Sequence, residues 1–257
     1  MNKKLLLVAW LGSFALGLIA GCATKPAGSA SQPVPAPAAS APATRPPDAT
    51  DRIKQAAAKP SAPFDGLGWE TMFDGKTLAG WRETDFAGRG EVECQSGMIL
   101  LHMGDPFTGI NYTNEIPKMN CEVAFDAMRV NGSDFFCALT FPVGETCCSL
   151  IVGGWGGGVV GLSSLDGMDA SENESSQYMK FDDGHWYRIR LRVTERKIEA
   201  WIDDDKVANV DTTDRRISVR PGDIELSQPF GLASYQTTGA FREVKIRRVY
   251  SPDKPAK

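Results

Sequence analysis

The chain has 257 residues, 42% of them hydrophobic and 23% charged, with 28 Lys plus Arg against 32 Asp plus Glu. That length leaves room for one domain with a sizeable core once the atypical ends are set aside. From Phe64 to Pro252 the balance sharpens to 19 basic against 29 acidic residues, which argues against nucleic acid and anionic lipid as partners.

The first predicted element is an export signal. Lys3 and Lys4 precede an apolar run from Leu5 to Ala20 that is too short to read as a spanning helix with an aqueous exit. Ile19, Ala20 and Gly21 stand directly before Cys22, and this resembles the lipobox of bacterial lipoproteins. The resemblance implies a signal peptide over residues 1–21 and lipidation of Cys22. With Ala23 next instead of Asp, it also implies an outer-membrane lipoprotein of the cell envelope, facing periplasm or cell surface. The membrane would then be touched through the lipid anchor only. Residues 22–63 read as a disordered Pro/Ala/Ser tether. Nine of the 16 prolines and no Phe, Trp or Tyr fall between Ala23 and Pro63, so little apolar surface is available to offset ordering. A weak helical patch runs from Arg52 to Lys59.

Residues 64–252 read as one all-β domain, followed by a tail at 253–257. Short β-rich runs alternate with Gly, Asp, Asn and Pro at roughly ten-residue intervals. The runs are Glu91–Cys94, Met98–Leu101, Cys121–Val130, Asp134–Phe141, Ser149–Val152, Trp186–Val193, Ile198–Ile202, Lys206–Val210, Phe230–Tyr235 and Phe241–Val249. Tyr187, Ile189, Leu191 and Val193 alternate with Arg188, Arg190 and Arg192, one face core and the other solvated. The same pattern turns Val244 and Ile246 inward, with Lys245 and Arg247 outward. Burying so many half-apolar strands calls for two sheets packed face to face.

Without Cys22, five cysteines remain: Cys94, Cys121, Cys137, Cys147 and Cys148. Cys137 and Cys148 flank a hairpin turn predicted at Pro142 to Glu145, which makes them the preferred disulfide; Cys94 with Cys121 is the second pairing, leaving Cys147 free. The adjacent Cys147 and Cys148 lack a second ligand pair at zinc spacing.

Three stretches carry a further resemblance: FDGKTLAGW (Phe73–Trp81), GHWYRIRLRVTERKIEAWIDDDKV (Gly184–Val207) with DTTDRR after it, and AFREVKIRRV (Ala240–Val249). Together they make the chain similar to the 3-keto-disaccharide hydrolase family. What that implies is a concanavalin A-like jelly-roll β-sandwich acting on carbohydrate. The Asn-Ser-Gly signature common in the family has a scrambled counterpart in Asn131, Gly132 and Ser133, with the acid at Asp134; where a second strand's acid is expected stands the neutral run Ser149 to Val152.

The candidate site gathers around a glycine loop. Gly153 to Gly158 carries a single side chain, Trp155, either a stacking platform for a sugar ring or a core residue on a hairpin. The acidic stretch after it holds Asp166, Asp169, Glu172, Asn173 and Glu174. It reads either as oxygen ligands for Ca or another divalent cation, although not at EF-hand spacing, or as a solvated loop. Paired-carboxylate chemistry assigns the catalytic roles to Asp134 and Glu172, with Trp155, Asn173, Asp166 and Asp169 binding substrate. A 3-keto sugar permits another route, because its carbonyl acidifies the C2 hydrogen and one base with one polarising group then suffices for elimination. His102 and His185 read as structural. The functional expectation is cleavage of the glycosidic bond of 3-keto-disaccharides or 3-keto-glucosides. The alternatives are a non-catalytic, lectin-like glycan-binding module and a purely structural envelope lipoprotein.

Overall fold

The computed structural model describes residues 47–249. The expected signal peptide, the lipidated Cys22, the first part of the tether and the tail lie outside the described residues. A helix, α1 (Ala49–Ala57), precedes the strands β1 (Glu70–Thr71), β2 (Trp81–Glu83), β3 (Val92–Gln95), β4 (Met98–Leu101), β5 (Phe107–Tyr112), β6 (Cys121–Gly132), β7 (Cys137–Val143), β8 (Thr146–Gly153), β9 (Val159–Ser163), β10 (Gln177–Tyr178), β11 (Trp186–Val193), β12 (Lys197–Ile202), β13 (Asp205–Asp211), β14 (Gly231–Tyr235) and β15 (Thr237–Arg248). A back sheet runs β13-β12-β11-β6-β15-β4-β3, with β1 added to β15, and a front sheet runs β10-β9-β8-β7-β14-β5-β2. The result is the expected all-β jelly-roll sandwich of concanavalin A-like form.

The period-2 alternation decides what each sheet presents to the other. Tyr187, Ile189, Leu191 and Val193 enter the core with Val123 and Phe125 of β6, and Val244 and Ile246 face inward as the pattern predicts. From the front sheet come Leu139 and Phe141 of β7, Leu150 and Val152 of β8, and Leu232 of β14. Each such side chain removed from water contributes on the order of 1.5–3 kcal/mol, the main force closing the sandwich.

The outer face of the back sheet is not the solvated arginine face expected from the alternation. Glu122 is fully buried and bridged by Arg247 (2.7 Å) and Arg190 (3.3 Å); Asp126 is bridged by Arg188 (3.2 Å) and Arg242 (3.1 Å). Of the three arginines on this face of β11, Arg192 alone pairs with Glu199 of β12, which Lys206 also holds. The cause is the segment that the tether was expected to include. Arg188 donates to the carbonyls of Ala62 and Pro63, Arg242 to that of Lys59, and Arg247 to that of Asp65. Residues 59–65 are thereby strapped across the back sheet. Before them, α1 starts at a side-chain cap, with the Asp48 carboxylate accepting from the Asp51 amide at 2.9 Å. Its buried Ala56 joins a cluster with Met98, Leu100, Met128, Val130, Trp186 and Ala240, and the Trp186 indole donates to its carbonyl. The ordered body thus begins ahead of residue 64, because an apolar patch outside the main core needs that helix as cover.

The cysteines also depart from expectation. The β7–β8 hairpin forms, but its turn is Gly144-Glu145, where Gly144 takes a φ of 63°. That centre sets Cys137 opposite Val152 and Cys148 opposite Phe141, so the two sulfurs are out of register. Cys94 on β3 and Cys121 on β6 are separated by β4 and β15. All five are free thiols. Burial pushes the Cys148 thiol up to about 12 and the Cys121 thiol up to about 11, which suppresses the reactive thiolate.

Candidate functional site

The outer face of the front sheet is paved with small residues. Ser163 of β9 lies beside Ser149 of β8, Ser149 beside Thr140 of β7, and Ile151 beside Ala138, which lies beside Ala233 of β14. Cross-strand partners share a face, so these side chains form one shallow floor. The Thr140 and Ser149 hydroxyls hydrogen bond to each other at 2.8 Å. Above the floor lies a cleft of about 370 Å³. Its walls are the Asp134-Phe135 corner, Trp155, the Phe107 and Tyr235 rings, and a segment carrying Arg220, Asp223 and Ile224.

The glycine loop builds one wall. Gly153 ends β8 at φ 80°, Trp155 follows at φ 49° and ψ 55°, and Gly156 and Gly157 continue at φ 86° and 102°. A bulky L-residue held in the left-handed region costs roughly 1–2 kcal/mol, and such outliers cluster at ligand sites. Here the turn aims the Gly156 amide at Asp134 Oδ2 (3.0 Å), while the Phe135 amide donates to Oδ1 (2.8 Å). Two main-chain donors therefore fix the orientation of the Asp134 carboxylate at the edge of the cleft. Trp155 stays 41% exposed, outside the core, with the Arg220 guanidinium carbon 5.9 Å from its ring centre.

The acidic loop has another task. Asp166 holds Arg215 (2.6 Å) and accepts from the Arg216 amide (2.8 Å), and Glu174 also pairs with Arg215. The Arg216 amide, then the Arg215 guanidinium, hold the Asp166 carboxyl below its usual range; Arg215 does the same to Glu174. Asn173 is 6% exposed and spends its amide on the carbonyls of Leu162, Met168 and Asp169, while its oxygen accepts from the Ser175 amide and hydroxyl. Asp169 accepts from the Ser163 and Ser164 hydroxyls and pairs with Arg220 at 3.3 Å. Glu172 is exposed and does not line the cleft.

The predicted residues therefore divide. Asp134 and Trp155 meet in the cleft. Asp169 stands behind Arg220 and presents it to the cleft, Asp166 and Asn173 pin the loop, and Glu172 does not converge with Asp134. A divalent cation in the acidic loop fits poorly, since Asp166, Glu174 and Asp169 are already neutralised by arginines. Among the described residues no group of three or more His, Cys, Asp or Glu side chains is placed to hold a metal ion. Arg220, Asp223, Tyr235, Phe107 and Phe135 were not singled out from the sequence. The DTTDRR stretch was the available signal: its Arg215 and Arg216 dock on Asp166, and Ser218 pairs with Ser164 through both main-chain bonds, which delivers Arg220 to the cleft.

No curated protein matches the chain in sequence. Among solved structures it is similar to a glycosyl hydrolase candidate from Parabacteroides distasonis (13% identity, TM-score 0.47, covering 71% of this chain and 95% of that one). It is also similar to the carbohydrate-binding module CBM66 from Bacillus subtilis (14%, 0.43, 65% and 95%) and to the Crh5 transglycosylase in complex with NAG (10%, 0.47, 72% and 86%). A family model, the 3-keto-alpha-glucoside-1,2-lyase-like domain, matches residues 68–247, nearly the whole sandwich. The chain thus belongs to the carbohydrate-active family of 3-keto-alpha-glucoside-1,2-lyase-like domains.

Proposed function

We propose that this domain cleaves the glycosidic bond of 3-keto-glucosides, including 3-keto-disaccharides, by elimination across C1 and C2, with Asp134 as the base. The observation that carries the reading is the Asp134 carboxylate, fixed by two amides at a cleft that also holds Trp155 and Arg220. In the proposed step Asp134 takes the C2 proton. The C2–H electrons pass into the C3 carbonyl as an enolate, whose oxygen Arg220 stabilises. When the enolate collapses, the C1=C2 double bond forms, the C1–O bond breaks, and the departing oxygen takes up the proton that Asp134 has accepted, which restores the carboxylate. Addition of water to the unsaturated product would complete a net hydrolysis. Glu172 has no part in this scheme.

A lectin-like module is the second reading, favoured by the exposed Trp155. The two part company when the full chain is incubated with 3-keto-trehalose or a 3-keto-glucoside deuterated at C2. Elimination predicts sugar release with a primary isotope effect, and a loss of about 10²–10⁴-fold in Asp134→Asn. Glycan binding without release would overturn the enzyme; unchanged turnover in Asp134→Asn would remove that residue from the role of base. Placement at the cell envelope through lipidated Cys22 belongs to the same proposal and rests on the sequence; mass analysis of the exported chain for acyl groups on Cys22 tests it.

A further inference from the structure

The cleft does not account for the most exposed aromatic of the front sheet. Tyr178, on edge strand β10, is 79% exposed. It pairs with Val159, the residue two before Gly161 and four before Ser163 on β9, so it shares the outer face with the Ser163 floor. Gln177, its neighbour, turns the opposite way and donates to the Val207 carbonyl of the back sheet. The Tyr178 ring lies directly on Gly158: a Cβ added there would stand 2.4 Å from its Cε2. Gly158 therefore has to lack a side chain for the ring to approach the loop that carries Trp155. The ring touches the loop backbone there and is otherwise left to solvent.

Tyr178 closes a row that crosses the strands. It starts at Phe107 on β5 and its register partner Tyr235 on β14, passes the Asp134-Phe135 corner and Trp155, and ends on β10. From β5 to β10 there are five strand-to-strand steps, about 24 Å at 4.8 Å each. That is longer than a disaccharide.

We propose that Tyr178 is a distal sugar-stacking subsite, and that the front sheet takes an oligosaccharide laid across its strands, with the bond-breaking end at Asp134. The inference rests on the carbohydrate reading of the same cleft and adds the chain length of the substrate. A tyrosine this exposed offers a sugar the apolar ring face it needs while its hydroxyl stays in water.

The test measures binding by titration calorimetry of the full chain with glucosides carrying one, two and four further hexoses, with and without a 3-keto group on the terminal ring. The wild type should bind more tightly as hexoses are added. Tyr178→Ala should lose roughly three- to tenfold of that gain, and Tyr178→Phe should keep it, as stacking and not the hydroxyl carries the contact. Affinity independent of length in the wild type, or a full gain in Tyr178→Ala, overturns the proposal. Length-dependent binding without turnover would uphold the subsite and overturn only the proposed elimination.

Discussion

At the scale of single residues, one guanidinium organises the acidic loop. Arg215 joins Asp166 and Glu174, and both carboxyls are held below their ordinary range. A carboxylate whose pKa is lower in the folded than in the unfolded chain favours folding above the unfolded value of about 4, and that contribution is lost as pH falls through the folded value. Arg215→Gln should therefore lower the thermal midpoint at pH 7, and the gap to wild type should close as pH drops below about 4. A gap that stays constant down to pH 3 would mean that Arg215 acts through packing alone. The same residues show why the sequence misled. Asp166, Asp169, Glu172 and Glu174 look like a set of free oxygen ligands because the cations of three of them, Arg215 for Asp166 and Glu174 and Arg220 for Asp169, lie some 40 to 50 positions further on. Nothing local announced the pairing. Trp155 and Asp134 were legible because glycine isolation and the family signature are local marks.

At the scale of elements, β4 and β11 have the bounds that alternation gives, and β6, β12 and β13 differ from expectation by a residue or two. The strands β5 (Phe107–Tyr112) and β9 (Val159–Ser163) were passed over because each holds a glycine that looks like punctuation. Both glycines are strand residues under close approach. A Cβ at Gly109 would meet Phe86 at 2.8 Å, and one at Gly161 the Ala170 carbonyl at 2.8 Å. The helical patch in the tether carries no mark of its importance in the sequence, because Ala56 gains its meaning only from Met98, Met128 and Trp186, far along the chain. Ala56→Asp should thus cost about 1–3 kcal/mol in denaturant unfolding, while Ala57→Asp, on the exposed side, should cost little. Equal effects would show that α1 is not packed as described.

At the scale of the whole molecule, the sandwich closes on shape and apolar area with five free thiols among the described residues. The spacing of Cys137 and Cys148 suggested a cross-link, yet moving the turn to Gly144-Glu145 was enough to part them. Unfolding midpoints with and without a thiol reductant should coincide. A fall of several degrees on reduction would reveal a bridge. Fold class was readable from one sequence because period-2 alternation is written along each strand; the cleft was only half readable, since its floor comes from the side of each strand that carries small, unremarkable residues.

The arginine strap has a mechanical consequence. Arg242, Arg188 and Arg247 grip the carbonyls of Lys59, Ala62, Pro63 and Asp65 in sequence along the back sheet, and the cleft opens on the opposite sheet. A pull on the chain ahead of α1 would first load the helix, where Arg52 donates to the Val130 carbonyl and Trp186 to that of Ala56, and then these contacts one after another, as a zipper is peeled. The three arginines stand on β11 and β15, so the load enters the sandwich at the middle of the back sheet and reaches the Trp155 wall only through the core between the sheets.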